Sequence, residues 1–515
     1  MNVLINIDPK KAQPIYRQIV EEMIDAIKEG YLKRGEKLPS TRDLGKTLGI
    51  SRFTVMRSYE DLVSAGYVKI VTGSGAYICY ESDRQSSYEP PAKTNRPATR
   101  FATQSTRAAL FEAMAQDTSS QSQLNYGLPS AALLPVSRWK EVLYSTTREV
   151  QTYPTSQAFA DNLQHPFGSP ELRRTLADYL SRARRVRADA ERLIVFTSWQ
   201  SAFDFALRLV CEPGDNCALE SPAQPFLYRR LLADGATVHP VSVDDNGMSA
   251  HQLRAIDADL KLICISPSRN EPTGLTMSNA RRQEILNVAD KNNAYIIESD
   301  RDHEYRYGQK AVPSMQGMDT GDRVLYLGTV ADVMAPLCRL AYLIVPEHLV
   351  GVALQIKSLI DPGYAPVDQI ALTKFIQEGH FERHIKRSAE IYAERRAALI
   401  HSLTTQFGAM VQIISAGGGT NIVLRFHRSI SVEMLTKAAS RHDIAMINAG
   451  SYYPVDTHSD QFLFAFGHLE VETIKTSVQL LAQEVSEMTT QATNLSQNLL
   501  PSGMATVAPH GQLTF

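Results

Sequence analysis

Between residues 38 and 78 the chain reads LPSTRDLGKTLGISRFTVMRSYEDLVSAGYVKIVTGSGAYI. Two clusters in this stretch combine hydroxyls with arginines: Ser40, Thr41 and Arg42, then Ser51, Arg52, Thr54 and Arg57. Groups of this kind hold phosphates and read base edges; they donate hydrogen bonds and positive charge without making or breaking bonds. The elements that would present them are written in the same residues. Ser40 is placed to cap a helix carrying Leu44 and Leu48, and Gly49 supplies a permissive turn. Ser51 then caps a second helix whose inward face is Val55, Tyr59 and Leu62. Arg52, Thr54 and Arg57 are left facing outward, at the end of a helix that meets the bases when it enters a major groove. Upstream, Ile15, Ile19, Met23 and Ile27 recur every four residues and predict a first amphipathic helix. Downstream of Gly66, YVKIV and AYI predict a hairpin around Thr72 to Gly75, where Gly73 and Gly75 let backbone approach a duplex closely. Exposed arginines are often only solvated, but helix, helix, tight turn, helix and hairpin in this order describe a winged helix-turn-helix.

The rest of the chain gives the head a setting. Its 515 residues are 43% apolar and 21% charged, an ordinary globular balance with room for several domains. Net charge is −2, yet residues 1–80 carry 12 Lys/Arg against 9 Asp/Glu, a sign split that suits a small nucleic-acid-binding head on a larger body. The five cysteines form no CxxC or Cys/His spacing, and four lie in or beside apolar runs as small buried thiols. His303, His380, His384 and His468 lack carboxylate partners at ligand spacing, so packing or surface roles are expected and a metal is not. No run reaches the ~18 apolar residues of a spanning helix, and the first residues lack a basic start with an apolar core. A cytoplasmic protein without a membrane role is expected. Composition divides the chain into a head at 8–80, a Ser/Thr/Gln/Pro-rich flexible linker at 81–122 with one short helix at 106–115, a body at 123–487, and a flexible tail at 488–515.

Within the body, the strand-like runs RLIVFTS, NCALES, ATVHPVSV, KLICISPS, AYIIESD and RVLYLGT alternate with helical patterns such as ARRQEILNVADKNN. That alternation predicts an α/β fold with a mostly parallel central sheet. Ligands then sit beyond the carboxyl ends of the strands, so residues just after each strand are the ones to inspect. LYLGTVADVMAPLCRLAYLIVP, residues 325–346, reads as a strand, a short polar turn and a second apolar strand.

The head resembles the GntR family of bacterial regulators, whose signature runs LPS-x-R-x-L, L-G-V-S-R-x-T-V and a glycine-rich wing. That resemblance implies DNA contacts from Arg42, Ser51, Arg52, Thr54 and the wing glycines. The body adds the landmarks FGSPELRRTLADYL, EPGDNCALESPAQPF, SPSRNEPTGLTMSNARRQEIL and EGHFERHIKRSAEIYAERRAAL. Nearly the whole chain, to about residue 470, is thus similar to the MocR subfamily, which fuses a winged helix to a fold-type I aminotransferase-like domain. The resemblance implies a homodimer of the head-to-tail kind, operator half-sites on double-stranded DNA, and a small-molecule effector. It also implies pyridoxal 5′-phosphate (PLP), which needs a lysine for its Schiff base, a carboxylate against the pyridine nitrogen, a tyrosine at the phenolic oxygen and a stacking ring.

By that resemblance the lysine of GTFSK falls on Asp332 in GTVAD, and the ring-nitrogen carboxylate and tyrosine of EDDYDSEFRY fall on Ser299 and Arg301 in ESDRDHEYRY. The stacking tyrosine falls on Gln224, the phosphate loop SGSQQAL is TSWQSAF with Trp199 and Gln200, and the arginine of RLGF falls on Leu463. Thr329, Arg339 and the Pro272-Thr273-Gly274 turn remain. Lys310 and Lys357, the next lysines in either direction, fall on no turn expected to face the pocket. Covalent PLP and catalysis are therefore not expected, and Arg301 and Asp332 are expected to pair, either filling vacated space or re-charging a ligand site. The expected function is DNA-binding transcription regulation, with the body serving dimerisation or effector sensing. Two alternatives stand beside it: a PLP-dependent aminotransferase-like enzyme, which Asp332 opposes, and a regulator holding PLP or another phosphorylated ligand non-covalently through Thr329 and Arg339.

Overall fold

The computed structural model describes residues 7–80, 129–151 and 165–498, apart from residues 10, 30, 308–311, 416, 428, 443, 445 and 455–459. The chain divides into two compact units, residues 1–103 and 104–515. The expected linker at 81–122 and its short helix at 106–115 lie outside the described residues.

In the first unit, helix α1 (Ile15–Lys28) buries Ile19, Met23 and Ile27, the stripe its four-residue spacing predicts. Helix α2 (Thr41–Leu48) starts at Ser40, whose hydroxyl accepts from the Asp43 amide at 3.1 Å, and ends at Gly49 in the left-handed region with φ 68°. Helix α3 (Arg52–Ser64) is capped the same way by Ser51, which accepts from the Thr54 amide, and turns Val55, Tyr59 and Leu62 inward. Strands β1 (Val68–Val71) and β2 (Gly75–Ile78) pair antiparallel in the register Val68 to Ile78 and close the small core with Val68, Ala76 and Ile78. Buried Tyr59 donates its hydroxyl to the Pro39 carbonyl at 2.9 Å, tying α3 to the entry of α2. Tyr59→Phe is expected to lower the stability of the head by about 1 kcal/mol, because the carbonyl loses its partner; the urea midpoint of the head's transition in the full-length chain measures it.

The second unit is built on an eight-stranded sheet. Helices α4 (Val136–Val150) and α5 (Pro170–Arg184) lead into β3 (Leu193–Phe196). Helix α6 (Trp199–Val210) follows, then β4 (Asn216–Ser221), α7 (Pro225–Ala233), β5 (Thr237–Asp244), β6 (Gly247–Met248) and α8 (Ala250–Arg254). Next come β7 (Leu260–Ile265), α9 (Asn279–Asn292), β8 (Tyr295–Ser299), α10 (Met315–Met318) and β9 (Val324–Thr329). One-turn α11 (Ala331–Met334) and β10 (Ala341–Ile344) complete the layer. The strand order is β3-β10-β9-β8-β7-β4-β5-β6, with β5, β4, β7, β8 and β9 mutually parallel and β10 antiparallel to both its neighbours. Strands β8 and β9 are buried at nearly every position, as a sheet covered on both faces requires. The stretch after β9 departs from the expected polar turn. It coils into α11 with Asp332, Val333 and Met334 all buried, because Val333 and Met334 join the apolar core.

Beyond the sheet lie α12 (Val350–Ile360), α13 (Pro366–Gln377) and the long α14 (His380–Phe407). A four-stranded antiparallel sheet follows, built from β11 (Val411–Ser415), β12 (Asn421–Phe426), β13 (Met446–Asn448) and β14 (Gln461–Ala465), with α15 (Val432–Arg441) between β12 and β13. The last helix, α16 (Val471–Asn498), corrects the expectation of a loose tail from residue 488: it runs eleven residues further. No glycine or proline interrupts residues 471–500, and Ile474, Val478, Leu481 and Val485 anchor the helix in the core with Met488 packed beside them. Cys217, Cys264 and Cys338 are buried free thiols, and Cys79 and Cys211 are half-buried ones. Among the described residues no helix is long and apolar enough to cross a membrane.

Candidate functional site

The head gathers the polar groups picked out from the sequence onto the outer side of α2 and α3. Arg42, Ser40, Ser51, Arg52 and Arg57 are exposed, and Thr41 and Thr54 are half-buried. The Arg52 Nε donates to Thr41 Oγ1 at 3.2 Å, so the two clusters are joined and the guanidinium is held at the start of α3. Arg57 differs from a free outward arm: its guanidinium lies 4.2 Å from the centre of the Tyr16 ring on α1. Phe53 is 68% exposed beside Arg52, and Met56 is exposed on the same helix. These apolar side chains were missed in the sequence, and their exposure at a helix start suits contact with thymine methyl groups. The wing tip turns with Gly73 at φ 80° and Gly75 at φ 120°, closed by the Ser74 amide on the Val71 carbonyl at 2.9 Å. A side chain at Gly75 would meet Lys37 Cε at 3.1 Å, which adds Lys37 to the basic surface beside the wing.

In the body, β8 and β9 end side by side and bring the altered positions together. Arg301 Nη2 lies 2.7 Å from Asp332 Oδ1, and the second carboxylate oxygen of Asp332 accepts from the Asp302 amide at 3.0 Å. Glu271, just before the Pro272-Thr273-Gly274 turn, stands 3.7 Å from Arg301 Nη1 as a further carboxylate. Burial works against the charge on Arg301, but Asp332 and Glu271 outweigh it and hold the guanidinium above its usual range. The Trp199 ring covers the same guanidinium at 5.6 Å and stacks on Phe203. Glu271 was missed in the sequence; its place at the head of the retained turn was the available signal.

The other positions do not join this pair. Ser299 is buried at the end of β8. The Thr329 hydroxyl is committed to backbone, donating to Leu340 O at 3.0 Å and accepting from Ala331 N at 3.0 Å. Arg339 and Gln200 are exposed, and Gln224 sits half-buried at the entry of α7. Leu463 is core of the second sheet, opposite Val423. Lys357 pairs with Asp361 at 2.6 Å, and Lys310 lies outside the described residues. Behind the pair, Asp302 meets Arg269 at 3.1 Å, and Arg269 also donates to Asn421 on β12, which ties the pocket to the second sheet. On the opposite side of the same loop, Asp300 pairs with Arg184 at 2.7 Å and accepts from the Tyr326 hydroxyl. Burial opposes its ionisation, but the Arg184 guanidinium outweighs it and keeps that carboxyl well below the usual range.

Two buried carboxyls next to this region behave oppositely. Burial pushes Glu220 at the end of β4, and Glu298 on β8, up to about 7. A carboxyl raised in the folded state contributes stability that is fully present below its unfolded pKa and lost as pH rises through the folded value. The contributions of Glu220 and Glu298 are therefore expected to be lost from about pH 4.5 to about 7. Glu220→Gln removes the share of that loss due to Glu220, seen as a shallower pH profile of the thermal midpoint.

With the geometry established, comparison with known proteins places the chain. The gntR family of bacterial regulatory proteins matches residues 15–78, and the aminotransferase class I and II family matches residues 147–455. The chain belongs to the aminotransferase class I and II family and carries a gntR-family head, the two-part plan of the MocR subfamily. It is 28% identical over 505 residues to a probable rhizopine catabolism regulatory protein MocR of Rhizobium meliloti, covering 97% of this chain and 98% of that one. It is 25% identical over 483 residues to the pyridoxine biosynthesis transcriptional regulator PdxR of Corynebacterium glutamicum, covering 94% and 98%. Among solved structures, an archaeal alanine:glyoxylate aminotransferase matches 75% of this chain and 98% of its own at a TM-score of 0.65 and 22% identity, a likeness of fold.

Proposed function

We propose that the protein is a cytoplasmic DNA-binding transcription regulator whose body serves dimerisation and effector sensing, without covalent PLP and without transamination. One contrast carries this reading: the head keeps each cap, turn and exposed polar group that DNA recognition needs, while the body's ends of β8 and β9 carry Arg301 against Asp332. Both oxygens of Asp332 are engaged, by Arg301 and by the Asp302 amide. A carboxylate forms no imine, Ser299 cannot hold a pyridinium, and Trp199 and Arg301, in contact with each other, stand where the resemblance puts a small phosphate-loop residue and the tyrosine at the phenolic oxygen. These residues do not fit covalent PLP.

In the proposed arrangement Arg42, Ser51, Arg52, Thr54 and the Gly73–Gly75 wing contact one operator half-site per head. The aminotransferase-like fold commonly forms dimers, and Val352, Leu359 and Ile360 expose an apolar face on α12 suited to a homodimer, head-to-tail in our reading. Shifts in the body then alter how two heads meet paired half-sites. A second reading keeps a phosphorylated ligand non-covalently. It is favoured by Arg339, which is exposed. Selection of bound duplexes from a randomised pool with the full-length chain tests the main reading. Paired half-sites at one fixed spacing are expected, and a pool that enriches no sequence contradicts it.

A further inference from the structure

A second pocket lies on the other side of the 300–307 loop from the Arg301–Asp332 pair. It encloses about 370 Å³ between α5, this loop and the start of α14. His303, Glu304 and Arg306 come from the loop, Tyr179 from α5, and Ile385 and Lys386 from α14. Among the described residues, both terminal nitrogens of Arg306 are shielded from solvent without a hydrogen-bond partner, and the same holds for Glu304 Oε2 and His303 Nε2. His303, expected to lack carboxylate partners at ligand spacing, has Asp300 and Glu304 at 3.6 and 3.4 Å, and His380 has Glu378 at 3.0 Å.

Charge is unbalanced at this wall. Arg184 is neutralised by Asp300, and Glu382 at the rim faces Arg182 at 3.3 Å. Burial pushes Glu304 well above the usual carboxylate range, which weakens it as a counter-ion, and pushes His303 down to about 4, so the imidazole is neutral at pH 7. Burial also lowers Arg306, to about 10, which leaves it charged. A shielded guanidinium whose terminal nitrogens have no hydrogen-bond partner among the described residues is strongly unfavourable, and a bound anion relieves it. Lys386 stands exposed at the mouth as a second cation. The remaining wall is apolar: the Tyr179 ring, fixed edge-on against Phe381 at 5.4 Å, and Ile385. One guanidinium, one ammonium and an apolar wall match a planar carboxylate on a small hydrocarbon body better than a phosphate, which calls for more donors.

We propose that this cavity binds a small organic monocarboxylate, whose carboxylate pairs with Arg306 and Lys386 while its body rests against Tyr179 and Ile385. The inference rests on the reading of the body as a sensing domain and supplies the chemical class of its effector. Benzoate, 3-methylbutanoate and inorganic phosphate, each titrated at constant ionic strength into the full-length chain, are the probes, with thermal midpoint and calorimetry as readouts. A saturable rise of the midpoint with at least one carboxylate and none with phosphate is expected. Lys386→Met, at an exposed position, is expected to weaken that binding about tenfold and Arg306→Gln to abolish it. If Arg306→Gln does not fold, Lys386→Met alone decides. The absence of a saturable carboxylate response overturns the proposal, as does an equal response to phosphate or unchanged affinity in Lys386→Met. Operator affinity is measured on the same samples. A carboxylate that binds without altering it supports the site and contradicts the sensing reading, so the two failures are distinct.

Discussion

Replacing Arg301 by methionine is expected to destabilise the body by about 3–5 kcal/mol, read from the urea midpoint of the full-length chain. The Asp332 side chain is 2% exposed and would be left with the Asp302 amide as its only partner among those described here. Glu271 would lose its nearest cation as well. Arg301 retains 23% exposure, so water relieves part of the imbalance and the effect should lie at the lower end. Removing both charges in Arg301→Met/Asp332→Leu is expected to restore most of the loss, because the penalty comes from a stranded charge and the net worth of the pair is small. A single variant within about 0.5 kcal/mol of the parent, in the range of ordinary surface changes, would mean that the pair is an incidental contact.

The second large effect concerns the head. Arg52→Ala is expected to lower operator affinity at least tenfold, and Arg42→Ala/Arg52→Ala about 10²–10³-fold, from losses of roughly 1–3 kcal/mol per contact. Both side chains are exposed, so the head should unfold at an unchanged midpoint. Salt dependence separates the roles: a lost phosphate contact flattens the slope of affinity against salt by about one unit, and a lost base contact leaves it unchanged while relaxing sequence preference. Affinity unaltered in the double variant would remove α2 and α3 from the DNA interface.

What the sequence disclosed, and what it hid, follows the range of the interactions. Ser40, Gly49 and Ser51 act within four residues of themselves, so their capping roles were readable and appear in the structure as hydrogen bonds and a left-handed turn. The closeness of Arg301 and Asp332 was readable only through the resemblance, which puts both positions at one cofactor site; in the structure both follow the parallel strands β8 and β9. Glu271, Arg269 and Asn421 were not: they reach the site through contacts spanning up to 152 positions, which no local pattern encodes. The start of the tail, 488–498, was misread because its Thr, Gln and Ser content suggests a loose coil, whereas the apolar spacing through Val478, Leu481 and Val485 anchors α16, which continues to Asn498; residues 499–515 lie outside the described residues. Thr329 kept its identity, yet its hydroxyl is bonded to backbone. Arg306 and Glu304 drew no notice, and His303 was read only as a packing or surface residue, since only packing against α5 and α14 shows what these side chains face.

The central claim is that a carboxylate, engaged at both oxygens, occupies the position from which this fold tethers PLP. Incubating the full-length protein with PLP, reducing with borohydride and mapping adducts by peptide mass tests it most directly. The account predicts only sub-stoichiometric labelling scattered over exposed lysines, the same in Asp332→Asn. One stoichiometric adduct on a single lysine, lost when the Arg301–Asp332 pocket is altered, would contradict it.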